Sequence, residues 1–288
     1  TVHRRFALIS QNVSLKKYNT FKIGGKAKFF AEPKSIAEIR ELFLFCRKNN
    51  EKFFILGNGS NVLFGDDGFD GLVIKIGKHF ASGKSLHALI QNAAEQGLGG
   101  IEKLDGIPGT VGGAIFMNAG AHGQQISDCI KSVVSVTIYG EIVTRTNEEC
   151  KFSYRSSVFK MLDEIILSAE FDFIPMSKEI INKNRKEILA WRREKQPLKY
   201  PNAGSVFKNP TQNLSLATSR LSAGYLIDSC GLKGCRVGDA QVSELHANFI
   251  VNRGKATAED VKALIKKITQ SVKETHGVDL ETEIIMAS

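Results

Sequence analysis

Sixteen of the chain's 26 glycines fall between Gly57 and Gly123, and no other feature of the sequence restricts the fold as much. Lacking a Cβ, glycine lets other groups approach the main chain closely, at a cost of roughly 0.5–1 kcal/mol wherever it interrupts a helix or strand. So dense a stretch argues against long regular elements and for backbone shaped around something. Two clusters stand out, GNGSN from Gly57 and GIPGTVGGA from Gly106. The first follows FFIL, a short apolar run that reads as a buried strand. The second lies in GLGGIEKLDGIPGTVGGAIFMNAGAHG, where neither the helical nor the strand period survives, so the run reads as loop.

Exposed N–H groups on side-chain-poor backbone suit phosphate oxygens, and three architectures compete for that role. A P-loop needs four residues between its glycines, but five separate Gly77 from Gly83 in GKHFASGKS. A Rossmann fingerprint needs a helix after G-x-G-x-x-G, whereas Gly57, Gly59 and Val62 lead into turns and a second strand, LVIKI. What remains is a dinucleotide held between two irregular loops, with Ser60, Asn61 and Thr110 adding side-chain hydrogen bonds.

At 288 residues the chain fits two or three units of about 100 to 150 residues. Hydrophobic residues at 42% and charged residues at 24% exclude wholesale disorder, and no apolar run reaches the roughly 18 residues of a membrane span. Ser35 and Glu38 open a helical pattern of Ile36, Ile39, Leu42, Phe43 and Cys46 that stops at Asn49 and Asn50, and a second helix is expected from about Leu86 to Gln96. SVVSVTIYG reads as strand, Ser177 caps a basic helix ending before Pro197, and prolines 197, 201 and 210 frame a boundary. Beyond it stand a strand in HANFIVN, a helix opened by Thr257 and Asp260 and stopped at Gly277, and a closing strand VDLETEIIM.

The net charge of +9 calls for an acidic partner, and Asn182–Lys208 alone carries eight basic residues against two acidic ones. Few aromatics interleave them, so a small anionic ligand is favoured over nucleic acid. The five cysteines are odd in number and lack both a C-x-x-C pair and a histidine at zinc-ligand spacing. They read as reduced thiols of a cytoplasmic protein, and no metal is expected. TVHRRFALIS has no apolar h-region, so nothing there marks secretion.

Eight motifs in order then resemble the UDP-N-acetylenolpyruvoylglucosamine reductase family of flavoenzymes: NTFKIGG, ILGNGSNVLF, GIPGTVGGAIFMNAGAHG, YRSSVFK, AGSVFKNP, AGYLIDSCGLKG, VSELHANFIVN and LETEI. The resemblance implies an α+β chain, with a two-part FAD-binding domain of the vanillyl-alcohol-oxidase type (residues 1–80 and 81–195) and a substrate domain (196–288). It implies FAD and NADPH as cofactors, small-molecule substrates, a cytoplasmic location, and neither nucleic acid nor membrane as partner. FAD contacts are carried to Gly57, Asn58, Gly59, Ser60 and Asn61, to Ile107, Pro108, Gly109, Thr110, Val111, Gly112, Gly113 and Ala114, and to Asn118 and Gly120. Two departures mark a shorter subtype: GKHFASGK is briefer than the family's strand pair, and no long insertion follows the YR-x-S motif.

Reducing an enolpyruvyl ether leaves an enolate, which needs positive charge at its carboxylate and a proton for the adjacent carbon. The resemblance assigns Arg155 to the carboxylate, where a guanidinium can bind bidentately, and Ser205 to proton delivery. Glu281 and Glu283 are two apart on the expected closing strand, so alternation alone does not choose between them; the family pattern selects Glu283. Substrate contacts are assigned to Tyr154, Arg192, Lys208, Asn209, His246 and Asn248, with His246, Asn248 and Asn252 expected on one strand face. Two rivals remain: a flavin oxidase that passes electrons to oxygen, and a basic nucleic-acid-binding protein whose affinity falls steeply with salt.

Overall fold

The computed structural model describes residues 8–210 and 222–288; TVHRRFA, most of the stretch examined for a secretion signal, lies outside them. The chain divides into two compact units. The first holds the described part of Thr1–Val13 with Lys28–Asn58 and Asp70–Arg192; the second holds Ser14–Ala27, Gly59–Phe69 and the described part of Arg193–Ser288. The division near Arg192 lies close to the expected boundary at 195, but two early segments join the C-terminal unit. One of them carries off Gly59, Ser60 and Asn61, so GNGSN is split between units.

In the first unit, a four-stranded sheet runs in the order Ser10–Ser14, Lys26–Ala31, Phe69–Lys75, Phe53–Leu56. Its last two strands are parallel, with Phe53 opposite Leu72. Helix α1 (Ile36–Asn49) starts where the Ser35 hydroxyl accepts the Glu38 N–H and ends at left-handed Asn50. Its Ile39, Leu42, Phe43 and Cys46 recur at three- and four-residue steps and are buried with Leu72 and Ile74 of the sheet. Each such side chain contributes about 1.5–3 kcal/mol of hydrophobic stabilisation.

The second core of this unit gathers Leu86 and Ile90 of α2 (Leu86–Glu95) with Ile130 and Val133 of an antiparallel three-stranded sheet. That sheet runs Ile142–Thr146, Ile130–Thr137, Glu164–Phe171. The glycine-rich stretch is not all loop: it contains the one-and-a-half-turn helix α3 (Val111–Phe116) and the short strand Gly120–Ala121. Six residues are too few to show a period, and α3 depends on its cap, the Thr110 hydroxyl accepting the Gly113 N–H at 3.1 Å. The basic helix α4 (Lys178–Lys195) exposes nearly all of its length; only Ile181 and Arg192 are buried.

The second unit is built on an antiparallel sheet in the order Asn202–Ser205, Phe249–Asn252, Ala240–Val242, Arg236–Val237. Helix α5 (Ala223–Ser229) and helix α6 (Ala258–His276) bury Leu226, Ile227, Val261, Leu264, Ile265 and Ile268 in a common core with Val242 and Ile250. A capping box between Thr257 and Asp260 opens α6, and Gly277 closes it at a φ of 69°. The expected closing strand shrinks to Ile285–Ala287, paired in parallel with Val62–Phe64. Glu281 and Glu283 therefore lie ahead of it, outside any strand alternation. His246 and Asn248 likewise fall in the turn before Phe249, so they do not share a strand face with Asn252. Ser205, within the proline-framed stretch, ends a strand opposite Phe249.

Candidate functional site

Each unit carries part of the expected site. In the first, a Cβ on Gly57 would stand 2.6 Å from the Thr110 Oγ1, so the first glycine loop touches the second where no side chain fits. Residues 84–86 zip onto 109–111: Leu86 N–H donates to the Gly109 carbonyl at 3.0 Å, and Val111 N–H to the Lys84 carbonyl at 2.9 Å. This brings Ser82 against Gly112, whose Cβ would lie 3.0 Å from that of Ser82. Ser82 is 2% exposed, and its hydroxyl has no hydrogen-bond partner among the described residues. Nothing in ASGK flagged it in the sequence.

The second glycine loop is held by a buried carboxylate. Asp105, fully buried, accepts from Arg185 Nε at 2.7 Å, from the Gly106 N–H at 2.8 Å, and pairs with His87 Nδ1 at 2.5 Å. Arg192, expected at a substrate phosphate, lies instead against Gly106 and is 7% exposed. Burial pulls its pKa down from the usual arginine range, and the nearby Asp105 opposes that. Neither Asp105 nor Arg185 was singled out from sequence, because an ion pair 80 residues apart leaves no local pattern.

Arg155 occupies the third position of a tight turn closed by reciprocal Ser153–Ser156 backbone bonds of 3.0 and 3.1 Å. Its φ is +55°, a conformation usually left to glycine and costing about 1–3 kcal/mol in other residues. The turn is held open-handed: Asn118 Nδ2 donates to the Ser153 carbonyl at 3.0 Å, and Lys160 Nζ to the Arg155 carbonyl at 2.7 Å. The guanidinium rests over the Tyr154 ring at 5.0 Å, and its Nη1 flanks Gly120. Tyr154, Arg155, Asn118 and Gly120 are thus one cluster. The Asn118 amide is taken up inside it, also donating to Gln125 Oε1 at 3.1 Å.

In the second unit, three segments distant in sequence are laced together. Val206 N–H donates to the Asn248 carbonyl at 2.8 Å, and Val206 accepts the Glu283 N–H at 2.7 Å. Asn61 Nδ2 donates to the Glu283 carbonyl at 3.1 Å, and Ser60 lies beside Gly204. Ser60, Asn61, Ser205 and Glu283 therefore belong to one neighbourhood. The Asn248 side chain brackets Phe207, accepting its N–H at 2.9 Å and donating to its carbonyl at 2.8 Å. It thereby holds the Ser205 strand end rather than presenting a free amide.

His246 packs on Phe249 with ring centroids 4.8 Å apart, and its Nδ1 accepts the Asn248 N–H at 3.2 Å. Burial holds its pKa below the ordinary imidazole value, with a smaller push from Lys233, so near neutrality it is uncharged. Lys208 pairs with the exposed Glu281, and Asn209 Oδ1 accepts the Ala223 N–H at 3.0 Å. A cleft of about 470 Å3 opens nearby in sequence, lined in part by Arg193, Lys199, Tyr200, Glu244 and Arg253. Arg253 stacks on Tyr200, 4.2 Å from its ring centroid. Among the described residues no cluster of three or more His, Cys, Asp or Glu is arranged to hold a metal, and no helix is long and apolar enough to cross a membrane.

Comparison with known proteins shows what the whole chain is similar to. Residues 27–146 match the family model for an FAD binding domain, and residues 196–287 match that for the C-terminal domain of UDP-N-acetylenolpyruvoylglucosamine reductase. The reductase of that name from Chlamydia pneumoniae is 44% identical over 287 residues, covering 96% of this chain and 91% of its own length. Its counterpart in Carboxydothermus hydrogenoformans is 43% identical over 288 residues, covering 96% and 93%. The crystal structure of the Thermus caldophilus enzyme has a TM-score of 0.82 at 35% identity, covering 97% of this chain and 98% of that one. The α+β organisation expected from the sequence, an FAD-binding domain followed by a C-terminal domain, stands with these matches. With identity of this level along nearly its whole length, the chain belongs to the UDP-N-acetylenolpyruvoylglucosamine reductase family and is an FAD-dependent oxidoreductase of peptidoglycan synthesis.

Proposed function

We propose that this chain reduces the enolpyruvyl double bond of UDP-N-acetylglucosamine enolpyruvate with electrons from NADPH, and that Ser205 supplies the proton. The observation that carries this reading is the lacing of Ser205's strand to Glu283 through Val206 and to the Asn61 end of the first glycine loop. It puts the expected proton donor, the expected acid and two expected flavin contacts in one neighbourhood.

The residues present fit FAD. The missing Cβ of Gly57 lets the Thr110 side chain of the second loop come directly against the first, and Ser82, packed on Gly112, holds a buried hydroxyl with a hydrogen bond to give. In the first unit, Gly57, Asn58, Ile107–Ala114 and Ser82 would hold it. When bound, FAD supplies a two-electron carrier between NADPH and the double bond.

The remaining steps fall to the chain. Arg155, kept in a strained turn beside Tyr154, binds the substrate carboxylate, and its fixed charge stabilises the enolate oxygens as they become negative. Ser205 gives its hydroxyl proton to the carbon next to the carboxylate. A hydroxyl is a weak acid, and the transfer runs because an enolate is a strong base. Glu283 orients the donor and favours the enol form. The nucleotide half of the substrate enters the cleft with Arg193, Lys199 and Arg253, whose charges face its phosphates, while Tyr200 offers a stacking surface. Lys208 can exchange its exposed partner Glu281 for a phosphate, since an exposed ion pair is worth only ~0–1 kcal/mol. Neutral His246 acts as a hydrogen-bonding and packing contact; Asn248 and Asn209 hold backbone around the site. Arg192 serves as a clamp on Gly106 rather than as a phosphate ligand. The protein works in the cytoplasm on small molecules, with no nucleic-acid partner.

Ser205→Ala separates the two half-reactions. Bleaching of bound flavin by NADPH should proceed at nearly the wild-type rate, while reoxidation by the enolpyruvyl substrate in stopped flow slows by at least about a thousandfold. Equal loss of both would remove Ser205 from proton transfer. Rapid reoxidation by oxygen with peroxide release would favour the oxidase reading instead.

A further inference from the structure

Ser82 sits in a 3-10 turn, Ala81–Gly83, in GKHFASGK, a segment outside both glycine loops. It is 2% exposed, and its Oγ has no partner among the described residues. Buried side-chain polar atoms in folded proteins are nearly always bonded, so a persistent exception points to a partner that is not protein. The surroundings say which kind. The adjoining strip 84–86 is bonded to Gly109 and Val111, which holds Ser82 in register beneath Gly112, and Thr110 beside it abuts Gly57. Ser82 thus adjoins the second glycine loop at Gly112, next to Thr110, whose side chain packs against the first loop at Gly57. A flavin or adenine ring needs a flat apolar slot, whereas bare backbone suits a phosphate–ribityl chain.

We infer that Ser82 is a cofactor-binding residue whose hydroxyl donates a hydrogen bond to an oxygen of the phosphate–ribityl chain of FAD. The inference rests on the FAD reading above and adds a third chain segment to the cradle. It also gives the short GKHFASGK segment a function, where the sequence suggested only a trimmed domain.

The test is the affinity of the apoprotein for FAD, followed by flavin absorbance and fluorescence, in wild type and Ser82→Ala. The variant should bind FAD about tenfold more weakly, equivalent to about 1.4 kcal/mol, while the apoprotein melts at the same temperature or slightly higher, because an unbonded hydroxyl has been removed. Equal affinity for FAD in the two proteins would overturn the inference and assign the hydroxyl to a buried water. A matching fall in the melting temperature of the apoprotein would also overturn it, by making Ser82 structural. Failure of wild-type apoprotein to take up FAD would instead bring down the reading on which the inference rests.

Discussion

Asn61 and Glu283, 222 residues apart, are joined by the Asn61 side-chain amide, which donates to the Glu283 carbonyl at 3.1 Å, and the Asn61 carbonyl also accepts the N–H of Ile285, two residues on, at 2.9 Å. The last residues of the chain are in this way aligned against the end of the first glycine loop. Asn61→Asp keeps the size but sets a carboxylate against a carbonyl. It should lower stability by about 1–3 kcal/mol, read as a shifted urea midpoint. An unchanged midpoint would show that the backbone bond of Ile285 suffices.

Gly57 and Thr110 test the close approach of the two loops. Gly57→Ala places a methyl 2.6 Å from the Thr110 hydroxyl, which forces the loops apart at a cost of about 1–3 kcal/mol and should weaken FAD binding ~10- to 100-fold. Thr110→Ala alone loses the cap on α3, about 1 kcal/mol. In the double variant the obstruction is gone, so the combined loss should be smaller than the sum of the two. Strict additivity in that cycle would mean the loops do not touch there.

Asp105→Asn addresses the carboxylate under the second glycine loop. The substitution leaves Arg185 without its buried anion and should cost about 3–5 kcal/mol. Circular dichroism melts would register it, and a change below about 1 kcal/mol would mean that Arg185 finds another partner. Arg185→Lys should recover little, since the Nε donor that meets Asp105 at 2.7 Å is lost.

The thiols of Cys46, Cys129 and Cys150 are pushed up to about 11 by burial. Their folded pKa values exceed the ordinary thiol value, so their contribution to stability is complete below about pH 9 and is lost as pH rises toward 11. Unfolding midpoints should fall across that window. At pH 8.5, iodoacetamide should reach the half-buried Cys230 and Cys235 first and the other three only after unfolding. Early labelling of Cys150 in peptide mass maps would contradict its burial.

Much of the architecture was legible in local pattern. Ser35 with Glu38, Thr257 with Asp260, and Gly277 mark helix ends, because a cap is an interaction among residues three or four apart. Eight motifs in order were enough to suggest the family. Legibility ended where a choice depended on contacts across the chain. Alternation placed Glu281, Glu283, His246 and Asn248 on strand faces, yet the chain turns before each strand begins, at Phe249 and Ile285. Absence of a period hid α3, whose six residues rely on a cap and on the burial of Val111, Ala114 and Ile115.

The sequence by itself determined that this chain would be multi-domain and built around side-chain-poor loops, since composition, capping and period are properties of neighbouring residues, and its eight ordered motifs carried the resemblance that implied an α+β fold and FAD. Only the tertiary structure decided how GNGSN divides between two units, that Ser82 stands beneath Gly112, that Asp105 engages Arg185 midway along the basic helix, and that Asn61 secures Glu283. Each of those is a bond or close approach between residues far apart in the chain. Such pairs come together only when burial of the apolar cores closes the intervening loops, and no local pattern records that closure.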